Sequence, residues 1–222
     1  MTRVHIICEG QTEETFVNEL LRNELVAKGV LVTPSLLGKP GRKGGDVRIE
    51  RVVADVRHRL LSDPTSHCTT FIDYYGIDPD FPGKAEARSK ATIQEKAECL
   101  QAALAAHVEN AVGENAARRF IPYVQMHEFE GLLFSDPQKM AEGICQAHME
   151  STFSAIRSGF PSPEDINDSP GTAPSKRILV CMPGYEKVIS GTLAALEIGL
   201  QGIRDECRLF DGWLKRIEAL GG

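Results

Sequence analysis

Four short apolar runs, separated by stretches of helical spacing, dominate the first 135 residues of this chain. The runs are residues 4–8 (VHIIC), 30–37, 68–72 (CTTFI) and 120–125 (FIPYVQ), all rich in β-branched or aromatic residues. Between the first two, apolar residues fall at 16, 17, 20, 21 and 25, one face of a helix. Thr12, with Glu13 and Glu14 in the first turn, is the expected start of that helix and Gly29 its end. Ile49, Val52, Val53, Val56 and Leu60 predict a second helix, and Ile93, Ala97, Leu100, Leu104 and Val108 a third. A β-α-β-α-β-α-β order is satisfied by a mainly parallel sheet with helices on both faces. Pro122 inside the fourth run points to an edge position or a strand start.

After about residue 136 the strand signals vanish. Residues 161–174 form a polar, proline-rich loop, and Ile203, Cys207, Phe210, Leu214 and Ile217 mark a terminal amphipathic helix, with Trp213 beside that face. The expected organisation is an α/β core over residues 1–135 and a helical extension over 136–222 packed on it. A length of 222 residues suits this arrangement. No apolar run approaches the length of a membrane span, and residues 1–10 carry no leader-like pattern, so the expected location is the cytoplasm. None of the six cysteines forms a C-x-x-C pair, which argues for reduced, structural thiols.

The net charge of −6 excludes a generally basic nucleic-acid coat protein. Locally the balance reverses: residues 39–59 hold seven Lys/Arg against three acids. Part of this patch is the glycine-rich loop 38–45 (GKPGRKGG), which lacks the P-loop pattern but carries Lys43 and two further cations that suit a phosphate backbone. A solvated helix face explains the same charges equally well.

Three of the four expected strands end on or just before a carboxylate. Glu9 follows the first, Asp73 the third, and Glu128 and Glu130 the fourth. In a parallel sheet all these ends lie on one edge, where ligands bind. Clustered carboxylates repel one another unless a cation neutralises them. Hard oxygen donors in small number suit Mg2+ or Mn2+, and a metal so placed activates water and neutralises charge on a phosphoryl group. Each acid also has a plain structural reading: a turn at Glu9-Gly10, a cap at Asp73, and dipole-complementing residues at Glu13 and Glu14. Glu128 and Glu130 share one face if the segment is extended and diverge if it is helical. His127 is placed to orient a carboxylate or to sit as a satisfied polar residue at the sheet edge.

Several motifs resemble the DUF4276 family: C-E-G-Q-T-E-E-x-F at 8–16, F-I-D-Y-Y-G at 71–76, H-E-F-E-G-L-L-F at 127–134, A-P-S-K-R-I at 173–178 and C-R-L-F-D-G-W-L at 207–214. That family looks like a relative of TOPRIM domains and is similar to RloB-type and OLD-type nucleases associated with restriction and phage defence. The resemblance implies a TOPRIM-like sheet, Glu9 as general acid/base, Asp73 as a Mg2+ ligand, and Glu128 or Glu130 completing the site. TOPRIM domains carry Asp-x-Asp after a later strand; here the second position is Tyr75, and neither Asp78 nor Asp80 has the right spacing.

Ser175, Lys176 and Arg177 open an apolar run and form a candidate grip for phosphate, though a helix start with exposed charges needs no function. Tyr74 and Tyr75 suit stacking on a base or packing in a wall. Glu13, His127 and Tyr75 are candidate supporting residues. The leading expectation is a Mg2+- or Mn2+-dependent nuclease or phosphodiesterase acting on nucleic acid, in bacterial defence or DNA repair. The alternative is a non-catalytic module with a degenerate metal site, binding nucleic acid or a partner such as an ATPase or another defence-system protein. A small-nucleotide phosphohydrolase with a closed, deep site is the third.

Overall fold

The computed structural model describes residues 1–38, 47–167 and 169–222. Strand β1 (Thr2–Cys8) leads into α1 (Gln11–Phe16), a π-helical turn (Val17–Leu21) and α2 (Arg22–Ala27). Then come β2 (Val30–Leu36), α3 (Ile49–Ser62), β3 (His67–Asp73), α4 (Lys84–Arg88), α5 (Ile93–Val112), α6 (Glu114–Ala117), β4 (Phe120–Ile121) and β5 (Val124–Gln125). The sheet has the order β2-β1-β3-β4, with β5 also on β3, and these pairings are parallel. This is the mixed α/β architecture, with a largely parallel sheet flanked by helices, that the alternation predicts.

The fourth apolar run is two short strands rather than one. Both keep one register against β3, with Cys68 opposite Phe120 and Ile72 opposite Val124. Between them Pro122 has no N–H to offer the ladder. Threonine side chains supply the missing links: Thr69 Oγ1 donates to the Ile121 carbonyl (2.5 Å), and Thr70 Oγ1 donates to the Tyr123 carbonyl (2.7 Å) and accepts its N–H (3.1 Å).

Side-chain alternation sends each strand's residues to two cores. Val4, Ile6, Cys8 and Phe71 face one, and Ile7, Cys68 and Ile72 face the other. The second core is closed by α3 and α5 through Val52, Val56, Leu60, Leu100 and Leu104. The first is closed by Phe16, Leu21 and Leu25 together with residues from the C-terminal helices.

Beyond β5 the described residues hold only helices: a 3-10 segment (Phe129–Ser135), α7 (Pro137–Gly143), α8 (Glu150–Ser158), α9 (Pro174–Cys181), α10 (Lys187–Ile198), α11 (Leu200–Glu206) and α12 (Arg208–Glu218), apart from short 3-10 turns. Phe210 and Trp213 of α12 enter the core beside Phe16 and Phe71. Trp213 stacks on Tyr123 at 4.6 Å, and its Nε1 donates to Thr69 Oγ1 at 2.8 Å. The expected single terminal helix is broken at Cys207. The reason is Glu164, a buried carboxylate that accepts the N–H groups of Leu209 and Phe210, both at 2.9 Å, and so gives α12 its own start. None of the described helices is long and apolar enough to cross a membrane.

Candidate functional site

Glu9 and Asp73 meet where the sheet order changes direction. From β1 the chain first moves outward to β2 and then returns past β1 to β3. At such a point the loops above the two central strands part and leave a crevice. Glu9 sits one residue past β1, and its N–H donates to the Phe71 carbonyl (3.0 Å). Its Oε2 accepts the N–H of Asp73, the last residue of β3, at 2.9 Å. The loop beyond Asp73 turns over this pair. A Cβ placed on Gly76 would collide with both Glu9 carboxylate oxygens, so the glycine is what lets the loop come so near.

Glu13 enters from the helix after β1. The helix starts one residue before Thr12, with Gly10 as its cap in an extended conformation. Having no side chain, Gly10 cannot cap as serine or threonine would; instead Glu13 reaches back and accepts the Gly10 N–H at 2.8 Å. That turn buries the Glu13 carboxyl beside Glu9 and Asp73.

Glu128 and Glu130 take different roles, because the chain passes from extended at Glu128 into the 3-10 segment. Glu128 Oε2 accepts the Ser175 N–H at 2.8 Å, which caps the start of α9. Glu130 is fully buried and turns inward. Both face Lys187, whose Nζ lies 2.9 Å from Glu130 Oε1 and 4.0 Å from Glu128 Oε1.

The electrostatics follow from this crowding. Burial raises the Glu9 and Asp73 carboxyls above their ordinary values, and their acidic neighbours raise them further. Burial first and the Glu9 charge second push Glu13 up to about 7. Glu130 is raised by burial despite Lys187. The carboxylates in turn raise Lys187, overcoming its own desolvation. Asp73 Oδ1 and Glu130 Oε2 are buried without a hydrogen-bond partner, as donor oxygens for a hard cation would be. As the side chains stand, no three His, Cys, Asp or Glu groups among the described residues are placed to hold a metal ion.

Sequence reasoning missed Lys187. The signal was present in M-P-G-Y-E-K at 182–187, where a lysine opens a helix. A cation at a helix N-terminus opposes the dipole and needs compensation from elsewhere. Tyr185, also missed, is buried with its hydroxyl unpaired, and burial followed by Glu130 and Glu128 raises its pKa.

Beside the carboxylates lies a cavity of about 560 Å³ whose lining includes Tyr74, Tyr75, Lys84, Arg88, Lys96, His127, Glu128 and Asn167. His127 has φ 64°, a left-handed conformation that costs a side-chain-bearing residue energy. Its carbonyl accepts the Tyr75 N–H at 3.1 Å, which ties the two proposed supporting residues together. Burial and then Lys96 lower His127 to about 4, so the ring is neutral at neutral pH.

The candidate phosphate grip is elsewhere. Ser175 is buried under Glu128, while Lys176 and Arg177 line a separate cavity of about 690 Å³ with Phe160 and Val180. None of the five acids lines that cavity. Arg177 lies over the Phe160 ring at 5.1 Å, and its Nε donates to the Thr172 carbonyl at 2.8 Å. Asp78 and Asp80 lie with Arg48 and Glu50 in a third hollow. Lys43, and the basic loop it belongs to beyond Gly38, lie outside the described residues.

No curated protein and no solved structure matches this sequence. A family model does, over residues 8–218, and that span holds every carboxylate of the site. The chain belongs to the family described as a domain of unknown function, DUF4276.

Proposed function

We propose that nucleic acid is the ligand at the carboxylate-bearing edge of this sheet, either bound there by a module without catalysis or cleaved there by a metal-dependent phosphodiesterase of TOPRIM type. The observation that carries the reading is the convergence of Glu9, Glu13, Asp73 and Glu130 at the switch point, with Asp73 Oδ1 and Glu130 Oε2 buried and unpaired. Buried carboxylates without donors are costly, and natural sequences keep them where a ligand compensates. Asp73 and Glu130 would hold Mg2+ or Mn2+, joined by Glu9 or Glu128. A bound divalent ion supplies charge neutralisation at the phosphoryl oxygens and lowers the pKa of water.

The protein's own groups do the rest. Glu9, with its carboxyl raised and held by the Asp73 N–H, is poised to take a proton from an attacking water. Lys187 neutralises Glu130 and faces the same space. Neutral His127 and the two tyrosines border the path of the strand.

Two observations favour a second reading, a nucleic-acid- or partner-binding module without catalysis. The side chains as placed offer no ready metal triad among the described residues, and Lys187 occupies the place of a counter-ion. Tyr75 in place of a second aspartate agrees with that reading. As they stand, these observations weigh more heavily than the unpaired oxygens. One experiment separates the readings: single- and double-stranded DNA and RNA are incubated with the protein in Mg2+, Mn2+ or EDTA, beside Glu9→Gln and Asp73→Asn. Metal-dependent cleavage lost in both variants supports the phosphodiesterase. Strand binding without cleavage, and without a metal-dependent rise in melting temperature, establishes the module.

A further inference from the structure

The geometry points to the cavity beside the carboxylates as a seat for one unstacked nucleobase, which makes single-stranded nucleic acid the ligand of this face. The inference rests on the nucleic-acid part of the reading above, not on catalysis. Three rings form one wall: Tyr74 and Tyr75 at 5.6 Å between centroids, Tyr75 and His127 at 5.7 Å, and Tyr74 and His127 at 6.0 Å. Tyr75 and His127, inclined by 36°, both line the cavity, so a planar group seated there meets an aromatic ring. A volume of about 560 Å³ suits a nucleoside-sized group rather than a buried side chain or a water.

Polar atoms for reading a base edge are also present. His127 Nδ1 is buried with no hydrogen-bond partner, although the residue is only 8% exposed, and Asn167 Oδ1 is buried and unpartnered too. Both residues line the cavity. Lys84 is fixed in the wall: its Nζ donates to the Ile77 carbonyl (2.5 Å) and lies 5.2 Å from the centre of the Tyr74 ring. Arg88, exposed, and Lys96, half-buried, are cations of the same lining and can follow a backbone through the opening. Glu128 borders both this cavity and the ion pair with Lys187, so a base seated here leaves its neighbouring phosphate beside the carboxylates. A duplex keeps its bases stacked and cannot fill the seat without extruding one.

Binding of labelled single strands and matching duplexes, DNA and RNA, is measured by fluorescence anisotropy in EDTA, where cleavage plays no part. We expect single strands to bind at least about tenfold more tightly than duplexes. Tyr75→Ala should lose about tenfold, as expected for one stacked base, while Tyr75→Phe holds. An abasic nucleotide within the strand should lose as much as Tyr75→Ala, and Lys96→Ala should reduce the salt dependence. Equal affinity for both forms, or Tyr75→Ala binding as the parent does with its melting temperature kept, overturns the inference. So does a nucleoside monophosphate that competes as well as a whole strand. Binding as expected without any cleavage in Mg2+ would sink the phosphodiesterase and leave the seat standing; cleavage of duplex as fast as single strand would do the reverse.

Discussion

The Glu9 carboxylate accepts the backbone N–H of Asp73 at 2.9 Å, joining the ends of two neighbouring parallel strands through the side chain of one and the main chain of the other. The bond fixes where one Glu9 oxygen points and leaves Oε1 for other work. It also places the Asp73 side chain, whose Oδ1 is unpaired, in the same buried cluster of acids. Burial and acidic neighbours raise both carboxyls, and the Asp73 N–H on Glu9 and the nearby Lys187 offset this only in part.

Gly76 is the first test of that geometry. In Gly76→Ala the new methyl meets the far end of a flexible side chain, so the Glu9 carboxylate should swing away rather than the fold fail. A misplacement of about 1 Å costs on the order of 100-fold in a positioned reaction. Cleavage assays and thermal melts of the same preparation check it: activity falls and the melting temperature stays within a few degrees. Full activity in Gly76→Ala would remove Glu9 from the mechanism.

Stability should fall as pH rises through the neutral range. Glu13 has its folded pKa raised from 4.5 to about 7, so its protonated form favours the folded state. That contribution is complete below the unfolded value and is lost as pH climbs through the folded one; each tenfold difference in proton affinity between the two states is worth about 1.4 kcal/mol. Glu164, raised by burial to about 7, acts in the same direction. Melting curves between about pH 5 and pH 8 should therefore slope downward, and less steeply in Glu13→Gln and in Glu164→Gln. Saturating Mg2+ should restore stability at the alkaline end in Glu164→Gln but not in Asp73→Asn. A pH-independent melting temperature would contradict the crowding of these acids.

Lys187→Met should uncover the cost of Glu130. The carboxylate is fully buried and its Oε1 has the lysine at 2.9 Å. Removing the cation should destabilise the fold by about 1–3 kcal/mol, toward the lower end because the lysine side chain is 46% exposed. Adding Glu130→Gln in the same chain should return most of the loss. Chemical denaturation of the two single variants and the double variant measures the coupling, and simple additivity would deny the pair any energetic role.

Glu128→Ala should loosen the start of α9. The carboxylate accepts the Ser175 N–H, an orphan donor of the first turn, and α9 has no side-chain cap of its own. The expected loss is about 0.5–2 kcal/mol, with Glu128→Gln keeping most of the stability because the amide oxygen still accepts. Hydrogen exchange at Ser175 and Lys176 reads the effect locally; unchanged protection in Glu128→Ala would show that the cap contributes nothing.

Strand-ending acids were legible in the sequence because the parallel sheet itself sets their location. Once four apolar runs alternate with helical spacing, the carboxyl ends must share an edge, which brings Glu9 and Asp73 together with the Glu128/Glu130 pair but leaves open which of that pair turns inward. Periodicity likewise gave α3 and α5 their buried faces. Tertiary structure decided the rest. It brought Lys187 from the C-terminal helices to Glu130, gave Glu128 to the α9 cap, and turned Lys176 and Arg177 toward another cavity. It broke the last helix at Cys207 by inserting the Glu164 carboxylate. Spacing and propensity act within a segment and can be read along the chain. Compensation of a buried charge depends on which segment arrives beside it, and packing alone settles that.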